Sequence, residues 1–155
     1  MISIPQRLLG EALLISEKKY PSKTVVIAKS KEYTFSELKE NAIKLAHYFV
    51  SKGIKKGDRI AIYMNNSWES VVSIYGITLA GGVFLIINPQ TKADKLAYIL
   101  NDCEARILLT EKVLSVEFTS ALKSVNTISE VIVVGNSDGT VSEPEVHAIN
   151  FDEVL

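Results

Sequence analysis

Four short apolar runs, Ile60–Tyr63, Val83–Ile87, Ile107–Leu109 and Val131–Val134, constrain this chain more than any other feature. None of them alternates polar with apolar residues, which is how strands buried on both faces of a parallel sheet read. Their centres recur about every 24 residues, and each gap holds one helix-length segment. Parallel strands need such crossovers, and right-handed crossovers cover the sheet with helices. The expected fold is therefore α/β: a mainly parallel sheet with flanking helices, preceded by an N-terminal helix and a hairpin.

The helices carry their own start signals. Ser3-Ile-Pro-Gln6 reads as a capping box with Pro5 in the first turn, opening a helix that runs to about Lys19. Thr34-Phe-Ser-Glu37 is a second box, flanked by Tyr33 and Leu38 at the two positions of a hydrophobic staple. The helix it opens presents Leu38, Ala42, Leu45, Ala46 and Phe49 on one face and ends near Gly53. Asn66-Ser-Trp-Glu69 and Thr91-Lys-Ala-Asp94 mark two further starts. Thr24–Ala28 and Glu32–Thr34 flank a Lys29-Ser-Lys31 turn, the expected hairpin. After the last strand, Gly135-Asn-Ser-Asp-Gly139 is a turn-rich loop, Ser142–Asn150 reads as irregular, and Phe151–Leu155 opens a short helix. The ordered unit so defined is 1–134, followed by an irregular tail over 135–155.

With 155 residues, 47% hydrophobic and 23% charged, the chain fits one domain able to bury a core. A net charge of −1 gives no reason to expect a nucleic-acid partner or an anionic membrane surface. Lys18-Lys19 and Lys55-Lys56 are too short to form basic patches. The single cysteine, Cys103, excludes an internal disulfide and suits a reducing, cytoplasmic compartment. Its acidic neighbours Asp102 and Glu104 disfavour a thiolate. Glu11 interrupts the N-terminal apolar run too early for a secretory signal. Ser70–Thr91 carries no charge and approaches the ~20 residues of a membrane span. Gly81-Gly82 in its middle and the strand-forming Val83–Ile87 favour instead a helix end followed by a buried strand.

Two segments carry a family resemblance. Tyr33-Thr-Phe-Ser-Glu-Leu38 and Leu79-Ala-Gly-Gly-Val-Phe-Leu-Ile-Ile-Asn-Pro89 resemble the first and second core motifs of the adenylate-forming (AMP-binding) enzymes. That superfamily includes acyl-CoA synthetases, luciferases and peptide-synthetase adenylation domains. The order of segments over residues 6–134 resembles its N-terminal subdomain. One departure stands at Ile86, where relatives commonly carry proline. Ile87-Asn88-Pro89 is closer to the acyl-CoA synthetase form than to the peptide-synthetase form, which usually has aspartate at that place.

The resemblance implies a parent enzyme of fatty acid metabolism, which joins a carboxylate to AMP and passes the acyl group to a thiol, coenzyme A. ATP, magnesium and coenzyme A would serve that whole enzyme. Both matching motifs are structural in the family, so no catalytic, cofactor-binding or metal residue is assigned to this chain, which is expected to be inactive alone. The Ser/Thr/Gly-rich loop with its lysine, which holds the phosphates through backbone amides and one cation, has no counterpart here. Gly135-Asn-Ser-Asp-Gly-Thr140 has glycines, but Asp138 would repel phosphate and no lysine follows. The expected partner is the missing C-terminal remainder of the enzyme, with self-association through an exposed apolar surface in its absence.

Other chemistries find little support. No Gly-x-Gly-x-x-Gly, Gly-x-Ser-x-Gly or Walker pattern is present. His47 and His147 lie far apart without ligands at metal spacing, and His47 falls off the apolar face of its helix. Glu37 as a general base competes with its capping role; Trp68 and Tyr75 are candidates to line a groove. The strand ends are the usual ligand edge of such a sheet. A stand-alone scaffold or binding module of the same fold is the rival reading. A flavodoxin-like nucleotide or flavin binder would need a phosphate turn, yet Met64-Asn-Asn-Ser67 lacks glycine.

Overall fold

The computed structural model describes residues 8–135 and 147–155. It begins with α1 (Leu9–Lys19) and a hairpin of β1 (Thr24–Ala28) and β2 (Lys31–Thr34), which leads into α2 (Phe35–Ser51). Then β3 (Arg59–Tyr63), α3 (Trp68–Leu79), β4 (Val83–Ile87), α4 (Ala93–Asp102) and β5 (Ile107–Glu111) alternate. A 3-10 turn at Lys112–Leu114 precedes α5 (Ser115–Leu122) and β6 (Glu130–Val134); β7 (His147–Asn150) and α6 (Phe151–Val154) follow. Strands β3 to β7 form one five-stranded sheet in the order β4-β3-β5-β6-β7, every pair parallel. The α/β expectation therefore stands, including the antiparallel hairpin ahead of the sheet.

Two apolar layers sandwich the sheet. On one face, Leu38, Leu45 and Phe49 of α2 and Val72 and Ile77 of α3 pack with Ile60 and Ile62 of β3. On the other, Leu96 and Leu100 of α4 and Phe118 of α5 pack with Tyr63 and Leu108. The uncharged stretch over 70–91 is thus a helix, a turn and a strand, but the strand read as buried is the edge of the sheet, with Val83 50% and Ile86 59% exposed. Among the described residues no helix is long and apolar enough to cross a membrane.

The cap read at Thr34 is present in full. Thr34 Oγ1 accepts from the Glu37 amide at 3.2 Å, and Glu37 Oε2 accepts from the Thr34 amide at 2.7 Å. The Thr34 amide, and then its hydroxyl, hold the Glu37 carboxyl below its ordinary range. A carboxyl depressed in the folded state adds stability that is present above its unfolded pKa and lost as pH falls through the folded one. Thr34→Ala is accordingly expected to cost about 0.5–2 kcal/mol in chemical denaturation at pH 7. Glu37→Gln should make the stability curve flatter on acidification below about pH 4. An unchanged acid limb in that variant would contradict the capping role.

Helix ends share one device. The α3 end has the Gly82 amide donating to Ile77 O at 2.9 Å and the Gly81 amide to Thr78 O at 3.1 Å, with Gly81 left-handed at φ 82°. This double hook satisfies the last carbonyls and turns the chain straight into β4. Helix α2 ends the same way at Gly53, through Ile54 to Phe49 O and Gly53 to Val50 O, both 3.0 Å. Helix α4 repeats it without a glycine: Glu104 takes φ 50°, with Ala105 bonded to Leu100 O at 3.1 Å. A left-handed L-residue costs about 1–2 kcal/mol, while the exposed Glu104–Arg59 ion pair is worth little. Glu104→Gly is therefore expected to stabilise by about 1 kcal/mol, read as a higher denaturation midpoint with an unchanged slope.

Several details differ from the sequence reading. Helix α1 begins at Leu9, where Glu11 Oε2 accepts from the Leu8 amide at 3.3 Å; Ser3 to Gln6 lie outside the described residues. The hairpin loop is two residues, Lys29 and Ser30, at φ 48° and 65°, a mirror-image turn matched to strand twist, so β2 starts at Lys31. Helix α4 has its N-cap at Lys92 rather than Thr91. The stretch over 142–150, read as irregular, ends in β7, which pairs with β6 from Glu130↔His147 to Val133↔Asn150. Phe151 and Val154 of α6 then pack into the first apolar layer. The turn-rich segment beyond Gly135 lies outside the described residues.

Candidate functional site

Strand order places the candidate ligand edge. The β3–α3–β4 crossover runs to one side of β3 with α3 on one face. The β4–α4–β5 and β5–α5–β6 crossovers run the other way on the opposite face. The connections leaving the carboxyl ends of β3 and β5 therefore run to opposite faces, and such a switch point is where open α/β sheets form a ligand crevice.

Here the crevice is already bridged. Glu111, the last residue of β5, accepts at Oε1 from the Asn65 amide at 2.6 Å and from Asn65 Nδ2 at 2.5 Å. Asn65 belongs to the Met64-Asn-Asn-Ser67 turn after β3, and Ser67 is the N-cap of α3. A nucleotide phosphate at this point would meet a carboxylate instead of free amides, in a turn without glycine. At this turn the residues present form no cradle for a phosphate. Next to it, the Tyr63 hydroxyl lies 2.7 Å from Thr91 O and closes the gap towards α4.

A groove of about 650 Å³ lies beside this turn, between the hairpin and α3. Its aromatic wall is Tyr33 stacked on Trp68, with ring centroids 3.9 Å apart and planes 6° off parallel. Val26, Val71 and Ile74 continue the apolar lining, and Lys29, Lys31 and Glu69 stand around it. Lys31 Nζ sits 4.7 Å over the Tyr33 ring. Ser67 and Ser70 look like hydroxyl candidates, yet each accepts from the other's amide, at 3.2 and 3.0 Å. They cap α3 and are not activated.

Trp68 does line the groove, whereas Tyr75 packs half-buried against the first apolar layer. His47 is exposed on α2, and His147 lies in the backbone of β7. Burial pushes the Cys103 thiol up, away from a reactive thiolate. Glu37 is engaged in its cap. Among the described residues no group of three or more His, Cys, Asp or Glu side chains could hold a metal ion.

Charged pairs concentrate at the opposite, amino edge. Asp58 Oδ2 accepts from the Lys55 amide at 2.8 Å and from Arg106 Nη1 at 2.6 Å; the first and then the second hold its carboxyl low. Lys52 Nζ pairs with the buried Glu130 at 2.8 Å, beside the Tyr48 ring. These contacts tie α2, β3, β5 and β6 together and account for much of the Gly53–Arg59 segment. The sequence pointed to Trp68 as a groove residue, but not to its partner Tyr33 or to the Asn65–Glu111 bridge, because each pair joins elements distant in the chain.

A sequence model described as AMP-binding enzyme matches residues 15–153. The long-chain-fatty-acid–CoA ligase of Bacillus subtilis (strain 168) is 29% identical over 139 residues, covering 88% of this chain and 24% of the ligase. Tyrocidine synthase 3 of Brevibacillus parabrevis is 29% identical over 162 residues, covering 91% of this chain and 2% of the synthase. An anthranilate CoA ligase solved in complex with anthranoyl-AMP superposes with a TM-score of 0.85 at 21% identity, covering 97% of this chain and 28% of that one. The chain thus spans about a quarter, or much less, of the relatives it matches.

Proposed function

We propose, on the premise that this chain belongs to the AMP-binding enzyme family, that it is the N-terminal part of an AMP-forming acyl-CoA synthetase. The whole enzyme would convert a carboxylate and ATP into an acyl-adenylate and pyrophosphate. It would then transfer the acyl group to the thiol of coenzyme A, releasing AMP. The observation that carries this reading is the family match across 15–153 together with the quarter-length coverage of a fatty-acid–CoA ligase.

In this reading the chain supplies one sheet and its covering helices, and the nucleotide chemistry belongs to the rest of the polypeptide. The carboxylate bridge at the β3–β5 crevice supports that division, because it leaves no phosphate cradle there. The Asn88 position favours a fatty or aryl acid over an amino acid, although peptide synthetases are also among the relatives.

The test is the coding sequence beyond the Leu155 codon. The reading predicts an open frame in which a Ser/Thr/Gly-rich, lysine-containing loop soon follows. A stop codon at that point would contradict it and turn attention to a scaffold or binding module acting through a partner.

A further inference from the structure

Helix α1 is apolar on both of its sides. Its inward side is set by contacts: Gly10 lies against Leu79 of α3, Leu13 is buried, and Glu17 pairs with Lys39 of α2 at 2.8 Å. The 3.6-residue period then turns Ala12, Ile15 and Lys19 outward as one ridge. Leu8, at the start of that ridge, is 66% exposed and Ile15 is 45% exposed. Leu9 and Leu14, on its two flanks, are 40% and 41% exposed. A surface helix carries polar and charged residues on this side. Here the outward side of the helix has one carboxylate, Glu11, whose Oε2 accepts from the Leu8 amide.

At the carboxyl end of α1 the structure gathers a third lysine beside the two adjacent in sequence. The Lys23 amide donates to Tyr20 O at 3.2 Å, a turn that folds the chain back on the helix end. Lys19 Nζ and Lys23 Nζ then lie 5.1 and 5.5 Å from the centre of the exposed Tyr20 ring. Lys18, Lys19 and Lys23 are all exposed, and among the described residues none of them has a carboxylate partner. The chain's net charge of −1 conceals this local excess of cations.

We infer that the outward side of α1 and the Tyr20 turn form a docking surface for an anionic lipid membrane. An exposed apolar ridge ending in lysines and a tyrosine matches the chemistry of a lipid boundary: acyl chains for Leu8, Leu14 and Ile15, phosphates for the lysines. Tyrosine, apolar in body and polar at its tip, suits the level between them. With 11 residues, α1 is about half the length of a span, so it lies in the plane of the surface. Charge decides against a second copy as the occupant, because a like surface offers Glu11 alone against three lysines. The inference goes beyond the proposed enzyme and does not depend on it.

Co-sedimentation with vesicles tests it, on the 155-residue chain and on the complete polypeptide its gene encodes. Both should bind vesicles of equal parts phosphatidylcholine and phosphatidylglycerol, and bind phosphatidylcholine alone at least about tenfold more weakly. Lys19→Gln with Lys23→Gln should lower the partition constant about thirtyfold, and Ile15→Gln at least about fivefold. Equal binding to both kinds of vesicle, or none to either, would overturn the inference. In a Cys103→Ser background, a maleimide should label Ile15→Cys freely in buffer and slowly on the anionic vesicles. Slow labelling in buffer would overturn it, showing the ridge covered by the chain itself or, with a dimer mass, by a second copy. Binding by the 155-residue chain and not by the complete polypeptide would overturn it in favour of an internal contact, and would leave the ligase reading intact.

Discussion

Gly76→Val is expected to cost about 3 kcal/mol or more, a large part of the 5–15 kcal/mol that holds a domain of this size together. Gly76 lies in the middle of α3 where that helix crosses α2. A Cβ added there would stand 2.9 Å from Leu45 Cδ2 and 3.0 Å from both Leu45 Cβ and Cγ. Leu45 is fully buried, and the near atoms include the root of its side chain, so it cannot swing clear. Even alanine should be unfavourable: its gain in helix propensity of roughly 1 kcal/mol is set against overpacking of about 1–3 kcal/mol.

A double-mutant cycle separates this clash from a general intolerance of α3. Leu45→Ala alone opens a cavity and should cost about 2–5 kcal/mol. Combined with Gly76→Ala it should cost less than the sum, because each change relieves the other. Strict additivity would show that the two helices do not meet at this pair.

Phe49→Ala should remove about 3–5 kcal/mol. Its ring is fully buried where α2 meets β3, and its carbonyl accepts the Ile54 amide that closes the helix end at 3.0 Å. Val50, next in sequence, is 57% exposed, so Val50→Ala should change stability by no more than about 0.5 kcal/mol. Urea denaturation of the pair checks both. Near-equal effects would mean that α2 presents a different face to the sheet.

The face of α2 was legible because a 3.6-residue period and a capping box agree over Thr34–Phe49. Strands β3 to β6 were legible because each is an unbroken apolar run, although only β3, β5 and β6 lie inside the sheet and β4 is its edge. The Gly81-Gly82 turn was legible because glycine is the residue that tolerates its left-handed position. What stayed hidden depends on partners distant in sequence. His147-Ala-Ile-Asn150 is too short to show a period, and it becomes a strand because β6 offers an edge. The Lys29-Ser30 turn lacks the Asn or Gly that usually marks its type, so its two-residue length was not visible. Glu104 adopts a glycine-like conformation without announcing it, since the surrounding helix end and strand hold it there.

The site is hidden for the same reason. Trp68 could be flagged as an aromatic near a helix start, but its stack on Tyr33 requires the hairpin to fold over α3. The Asn65–Glu111 bridge joins the ends of two strands that become neighbours only when β4 is placed outside β3. Sequence supplies one residue of each pair, and topology supplies its partner.

In the proposed division adenylation belongs to the rest of the polypeptide, and ATP–pyrophosphate exchange tests that division most directly. The 155-residue chain and the complete polypeptide of its gene should be assayed side by side with magnesium and a panel of fatty, aryl and amino acids. No exchange above background is expected from the 155-residue chain with any acid, and acid-dependent exchange is expected from the complete polypeptide. Acid-dependent exchange by the 155-residue chain itself would contradict the account.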